Sequence, residues 1–214
     1  MITNKLIFDT LLSDLQDQEI KRIIIGINWT LIETAVGCGL AHTPRRDEPG
    51  CQPIAEAGKL SELGLAEAAK LILSGNPIEI AIGMAAVNAS YNRYDLSASE
   101  KNGLDAFAEI DGPITVIGRF PGLAERIDNL QIIEKEPREG EYGEQDAARL
   151  LPESAGVIIT SSALVNGSAG SLLDLAKNSR VCMVGPSTPF APKLFDLGVE
   201  FLAGTLVTNI DQMA

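Results

Sequence analysis

The hydrophobic positions of this chain change period midway. Phe8, Leu11, Leu12 and Leu15 fall at i, i+3, i+4 and i+7, the spacing of one helix face. Lys21-Arg22 then leads into Ile23-Ile24-Ile25-Gly26-Ile27, a β-branched run that predicts a strand. Residues 29–36 read as a second strand, Gly37-Cys38-Gly39 as a turn, and 40–43 as a third short strand. Residues 44–58 are rich in Pro, Gly and charge and read as a loop. Residues 61–73 carry a helical pattern that ends at Ser74-Gly75. Asn76, Pro77 and Glu79 then stand in the order of an N-cap, a first helical residue and a third-position acid, so a helix is predicted over 78–91. Its Ile82, Ala85, Ala86 and Ala89 suit close packing. The first half thus reads as α+β.

In the second half short apolar runs alternate with helical patterns. Strands are predicted at 114–118, 130–134, 156–160, 181–185 and about 200–207. Helical patterns lie at 123–127, 143–150, 172–177 and 191–197. That alternation predicts a parallel sheet with helices on both faces. Glu100 to Ile110 reads as a connecting helix, and Asp111-Gly112-Pro113 as a break. Two domains, 1–111 and 112–214, are therefore expected, each long enough for a small core of its own.

Composition narrows the partners. The chain has 214 residues, with 17 Lys+Arg against 29 Asp+Glu and a formal charge of −12. A surface this acidic repels phosphate backbones and anionic lipid, which argues against nucleic acid and membrane partners. Residues 134–146 alone carry −4 (2 basic, 6 acidic), so the rest of the second half is nearly neutral and leaves room for an anionic small molecule. No apolar run approaches the roughly 20 residues of a membrane span. No signal-peptide pattern opens the chain, and three cysteines are too few for a disulfide scaffold, so a cytoplasmic location is expected. The small core of each half leaves room for a homodimer, although no motif marks one.

Candidate chemistry gathers where the predicted parallel strands end, because ligands of open parallel sheets bind outside the carboxyl ends. The first such strand ends at Gly118, in Gly-Arg-Phe-Pro-Gly, where a following helix start would attract anions; this is not GxGxxG, so a pyrophosphate site is only weakly marked. The second ends in Glu134, where an acid can accept ribose hydroxyls. The third ends in Thr160-Ser161-Ser162, followed by Asn166-Gly167-Ser168; Thr160 and Ser161 are expected to line a cleft and Ser168 or Ser171 to cap a helix. The fourth ends in Gly185-Pro186-Ser187-Thr188-Pro189, a loop stiffened by two prolines that could hold a carboxylate or phosphate. The cofactors these positions suggest are a nucleoside-type molecule or a soft metal ion. For the metal, Cys38, His42 and Cys51 supply thiolate and imidazole, though in no standard spacing. His42, the only histidine, lies in the other half from these serines, which argues against Ser–His hydrolysis.

The stretches Val157-Ile158-Ile159-Thr160-Ser161-Ser162-Ala163-Leu164-Val165-Asn166, Val184-Gly185-Pro186-Ser187-Thr188-Pro189 and Leu194-Phe195-Asp196-Leu197-Gly198-Val199, with Gly83-Met84-Ala85-Ala86-Val87-Asn88-Ala89 in the first half, resemble the putative heavy-metal chelation family. The resemblance covers most of the chain. It implies an enolase N-terminal-like domain followed by a Rossmann-like domain, with a site in the cleft between them and Asn88 facing it. Many relatives are expected to have glycine after the third strand's threonine; here Ser161 stands there and would alter the fit of a ligand. The function these observations suggest is binding of a nucleotide-like or amino-acid-like ligand in that cleft. The protein would then be an enzyme in the synthesis or handling of a metal chelator, or else a non-catalytic binder of a metal chelate or anionic metabolite.

Overall fold

A computed structural model of the chain describes residues 1–45, 53–99, 103–123, 125–127 and 130–210. It is an α/β protein with a three-stranded antiparallel sheet and helices first and a six-stranded parallel sheet second. Helix α1, Asn4–Leu12, is capped by Thr3, whose hydroxyl accepts from the Leu6 N–H, and buries Ile7, Phe8 and Leu11. Strands β1 (Arg22–Ile25), β2 (Trp29–Glu33) and β3 (Cys38–His42) form the antiparallel meander.

The turn between β2 and β3 covers residues 34–37, ahead of the Gly37-Cys38-Gly39 reading. Thr34 closes it, its hydroxyl accepting from the Val36 and Gly37 N–H groups, while Cys38 and Gly39 belong to β3. These two glycines serve packing instead. A Cβ at Gly39 would overlap the Ala85 carbonyl and the Ala89 nitrogen of α3, Pro77–Tyr91, and one at Gly37 would overlap the Ala89 carbonyl. The helix and the strand therefore meet at backbone distance, and the alanines of α3 are fully buried there.

Helix α3 starts as its sequence predicts, with the Asn76 side chain accepting from the Ile78 N–H at 2.9 Å. Glu79 does not close a capping box. It is buried, and its carboxylate accepts from the Ala55 N–H at 2.8 Å and from the Ser74 hydroxyl. The helix expected over 61–73 is broken into a 3-10 turn (Leu60–Glu62), a short α2 (Leu65–Ala69) and a second 3-10 turn (Lys70–Leu73). Gly64 sits at the break, where Asp17 fills the space a side chain would need.

The parallel sheet has the order β6-β5-β4-β7-β8-β9. Its strands are β4 (Ile114–Ile117), β5 (Leu130–Glu134), β6 (Tyr142–Gly143), β7 (Gly156–Thr160), β8 (Arg180–Val184) and β9 (Phe201–Ala203). One face is covered by α4 (Ala147–Leu150), α5 (Ser162–Asn166) and α6 (Ala169–Leu175), with Val157, Ile159, Val181 and Met183 pointing toward them. The other face, carrying Val116, Ile158 and Cys182, is covered by the 3-10 segment Gly103–Phe107 and by Phe120, Leu123 and Ile127. Helices thus cover one face and shorter segments the other. Among the described residues the patterns at 123–127 and 191–197 form turns and a 3-10 helix (Pro192–Leu197) rather than α-helices, and α5 follows β7 after the single turn residue Ser161.

The halves interlock. Asn4 of α1 bonds to the second half, its amide group donating to the Gly167 carbonyl and its oxygen accepting from the Gly170 N–H. In return Val207 and Ile210 pack on Leu31, Cys38 and Leu40 of the small sheet. Buried residues of α1, α3, α5, α6, β7 and β8 form one continuous apolar cluster. No helix among the described residues is long and apolar enough to cross a membrane. Gly39→Ala is expected to force α3 off the sheet and to cost about 3 kcal/mol, a drop of the order of 10 °C in Tm by calorimetry; an unchanged Tm would refute the backbone contact as a determinant of stability.

Candidate functional site

The sheet order places β4 between β5 and β7, so the crossovers leave its two sides in opposite directions and open a crevice at the carboxyl ends. Gly118 follows β4 with φ +97°. A side chain there would press on Thr160 at 3.1 Å, so both the conformation and the space call for glycine. The Gly118 N–H donates to the Ile133 carbonyl at 3.0 Å.

Over this crevice the first half forms a roof, enclosing a cavity of about 760 Å³. Its floor is Ile117, Gly118 and Arg119 after β4, Ile133, Glu134 and Lys135 at the end of β5, and Thr160 and Ser162 after β7. Asn166 and Ser168 flank it at the α5–α6 turn. From the first half come Phe8, His42, Pro44, Arg45 and the start of α3 at Pro77, Ile78 and Ile80. The size lies within the range of about 300–1,000 Å³ usual for small-molecule sites, and the mixture of apolar walls with a few polar groups is also usual.

Several polar groups here are held in place. Asn166 accepts from the Ser168 N–H at 3.0 Å and the Ser168 hydroxyl at 2.7 Å, which shapes the turn through Gly167. The Thr160 and Ser162 hydroxyls share a hydrogen bond of 3.0 Å. Arg119 makes a two-pronged pair with Glu141, at 2.9 and 2.6 Å. Glu141 also accepts from the Arg138 N–H at 2.8 Å, and its side chain is only 11 % exposed. The Arg119 hydrogen bonds, then the Arg138 N–H, hold the Glu141 carboxyl at about 2. Burial, and then the positive Arg45, push His42 below its ordinary value, leaving the ring neutral at pH 7. The His42 ring meets Trp29 edge-on at 5.9 Å.

Of the residues singled out from sequence, Gly118, Glu134, Thr160 and Asn166 line the cavity, and Asn88, Ser161 and the 185–188 loop do not. Asn88 is fully buried inside the first half, its amide donating to the Leu40 carbonyl at 2.5 Å, so it ties α3 to β3 rather than facing the cleft. Ser161 is buried under Gly185, and its N–H donates to the Val184 carbonyl at 2.7 Å. The Gly185-Pro186-Ser187-Thr188 loop joins the halves. Ser187 accepts from the His42 N–H at 2.8 Å, Asn92 donates to the Thr188 carbonyl at 3.1 Å, and the Phe190 N–H donates back to Asn92 at 2.9 Å. Its prolines stiffen a clamp.

The soft-metal set does not assemble. Cys38 and His42 stand at the two ends of β3, four residues and roughly 13 Å apart by strand rise, too far to share an ion. Cys51 lies outside the described residues. Cys38 is buried, and burial followed by the nearby Glu33 charge raises its thiol to about 12, the wrong direction for a thiolate ligand. Among the described residues no three His, Cys, Asp or Glu side chains converge as ligands. Sequence reasoning missed Arg119, Lys135 and Glu144 as lining residues, and the first-half contribution from Phe8, Arg45, Ile78 and Ile80. Arg119 and Lys135 each directly follow a position already marked, at Gly118 and Glu134; nothing local marks the others.

Family models described as "Putative heavy-metal chelation" match residues 104–214 and residues 8–91. The chain belongs to the putative heavy-metal chelation family. Its fold is shared with a crystal structure of a DUF364-family protein of unknown function from Desulfitobacterium hafniense, at 30 % identity and TM-score 0.85, covering 96 % of this chain and 88 % of that one. A second family structure of unknown function, from Pyrococcus horikoshii, is 25 % identical with TM-score 0.74 over the same shares. The uncharacterized protein MJ0500 of Methanocaldococcus jannaschii is 29 % identical over 152 residues, 63 % of this chain, and the match spans 57 % of that protein's length.

Because the folded state holds Glu141 ionised, this pair stabilises the fold above the ordinary carboxyl value of 4.5 and loses that contribution as pH falls toward 2. In Arg119→Gln the Glu141 carboxyl is expected to titrate back toward 4.5 in a carbon-13 NMR titration; a value still near 2 would show that Arg119 does not hold it.

Proposed function

We propose that this family member is a small-molecule-binding enzyme that takes a nucleoside-type ligand in the cavity between its halves. In this reading residues 112–214 are a Rossmann-like domain, and the first half is an enolase N-terminal-like unit that roofs the strand ends. The observation that carries it is the position of Glu134. Counted within the parallel sheet, the strand order is 3-2-1-4-5-6, and Glu134 ends the second strand and lines the cavity beside the switch point. In doubly wound sheets of that order an acid at this position accepts the ribose hydroxyls. Ile78, Ile80, Ile117 and Ile133 offer an apolar slot for a base, with Thr160, Ser162 and Asn166 as polar partners along its edge.

The heavy-metal description of the family fits this reading if the metal travels on a bound chelator, since Cys38 and His42 cannot meet at one ion. A non-catalytic carrier of the same ligand is the second reading. It is favoured by Ser162, whose hydroxyl is bonded to the Thr160 hydroxyl and not to a base.

Isothermal titration with adenosine and 2′,3′-dideoxyadenosine tests the Glu134 role. The native protein is expected to prefer adenosine by roughly 10- to 100-fold, the value of hydrogen bonds to a charged acceptor, and Glu134→Ala to bind both alike. Equal binding of the two by the native protein would sink the ribose assignment.

A further inference from the structure

Five charged side chains line the cavity: Arg45, Arg119 and Lys135 against Glu134 and Glu144. They are not equally available. Arg119 is committed to Glu141 through both prongs of its guanidinium. Arg45 and Lys135 have no ion pair among the described residues, although the chain as a whole has 29 acids for 17 Lys+Arg. They come from different halves, Arg45 from the segment after β3 and Lys135 from the residue after β5. Arg45 already acts electrostatically on the cavity lining, since it helps to hold His42 neutral.

Backbone donors offer an anion little here. A pyrophosphate in a doubly wound fold sits on the free N–H groups that open the helix after the first strand. In this chain the described residues from 118 to 127 form turns, and the Gly118 N–H is already given to the Ile133 carbonyl. The start of α3 also lines the cavity, but Pro77 has no N–H, the Ile78 N–H is taken by the Asn76 side chain, and the Ile80 N–H by the Asn76 carbonyl. At these two places an anionic group is therefore met by side chains.

We infer that Arg45 and Lys135 form a subsite for one anionic group, so that the ligand is a nucleoside carrying a single carboxylate or phosphate rather than a dinucleotide. This rests on the nucleoside reading above and adds the ligand's charged end. Glu134 holds the hydroxyls, the isoleucines cover the base, and the two cations, one from each half, draw the anionic end between them. Ligand charge then links a cation of each half across the cavity.

Calorimetric titrations at low salt with adenosine, adenosine 5′-monophosphate, adenosine 5′-carboxylate and NAD separate the possibilities. The anionic nucleosides are expected to bind roughly tenfold or more tightly than adenosine, with the gain shrinking as salt rises, and NAD no more tightly than the monophosphate. A gain for both anions, or for one alone, supports the subsite and says which group it takes. In Lys135→Gln and Arg45→Gln the ratio of monophosphate to adenosine affinity is expected to fall toward one. Adenosine binding with no gain from either anion, or tightest binding by NAD, would overturn the subsite and leave the nucleoside reading standing. Failure of adenosine and all three others to bind would overturn both.

Discussion

The close approach of α3 to β3 is the contact on which the rest of the molecule depends. It is possible only because Gly37 and Gly39 present bare backbone to the buried alanines of α3. That contact fixes one rigid spine with three uses along its length. Its first turn, at Pro77, Ile78 and Ile80, becomes a wall of the cavity. Its middle seals the core, with Asn88 tied to the Leu40 carbonyl. Just past its end, Asn92 holds the loop after β8 at Thr188 and Phe190. A helix set farther from the strand would move all three together, because a packed core transmits displacement instead of absorbing it.

The cavity is therefore a product of the interlock between the halves. Asn4 anchors the first helix to the α5–α6 turn, and Val207 with Ile210 lies on the outer face of the small sheet. Neither half builds the site alone: the strand ends supply Glu134, Thr160 and Lys135, and the first half supplies Phe8, Arg45 and Ile78. Arg119 and Glu141 stiffen the floor by fastening the loop between β5 and β6, a pair whose two-pronged geometry fixes direction as well as distance. The acidic bulk charge lies largely outside this space, which explains how a chain of −12 can present two cations to a ligand.

Much of the architecture was legible from residue order. The strands at 114–118, 130–134 and 156–160 were readable because each is a short apolar run bounded by Gly, Pro or charge. The α3 start was readable because capping is local chemistry, settled within four residues. Gly37-Cys38-Gly39 misled for the opposite reason. A glycine pair suggests a turn when only neighbours in sequence are considered, yet here it answers to a helix some fifty residues away. The Gly185-Pro186-Ser187-Thr188 loop misled in a related way. Two prolines suit a clamp as well as a ligand loop, and the hydrogen bonds to Asn92 and His42 show the loop joining the halves.

Sequence by itself determined the start of α3, the parallel sheet of the second half, and which residues end its strands, including Gly118, Glu134 and Thr160. These follow from periodicity and local backbone preference, which act over a few residues. Tertiary structure decided which of those ends share a cavity, that Asn88 and Ser187 are structural ties, and that Cys38 and His42 stand at opposite ends of one strand. It also brought Arg45 and Lys135, ninety positions apart in sequence, to one space. Such pairings depend on the interlocked halves, and no local pattern of residues encodes a distance across them.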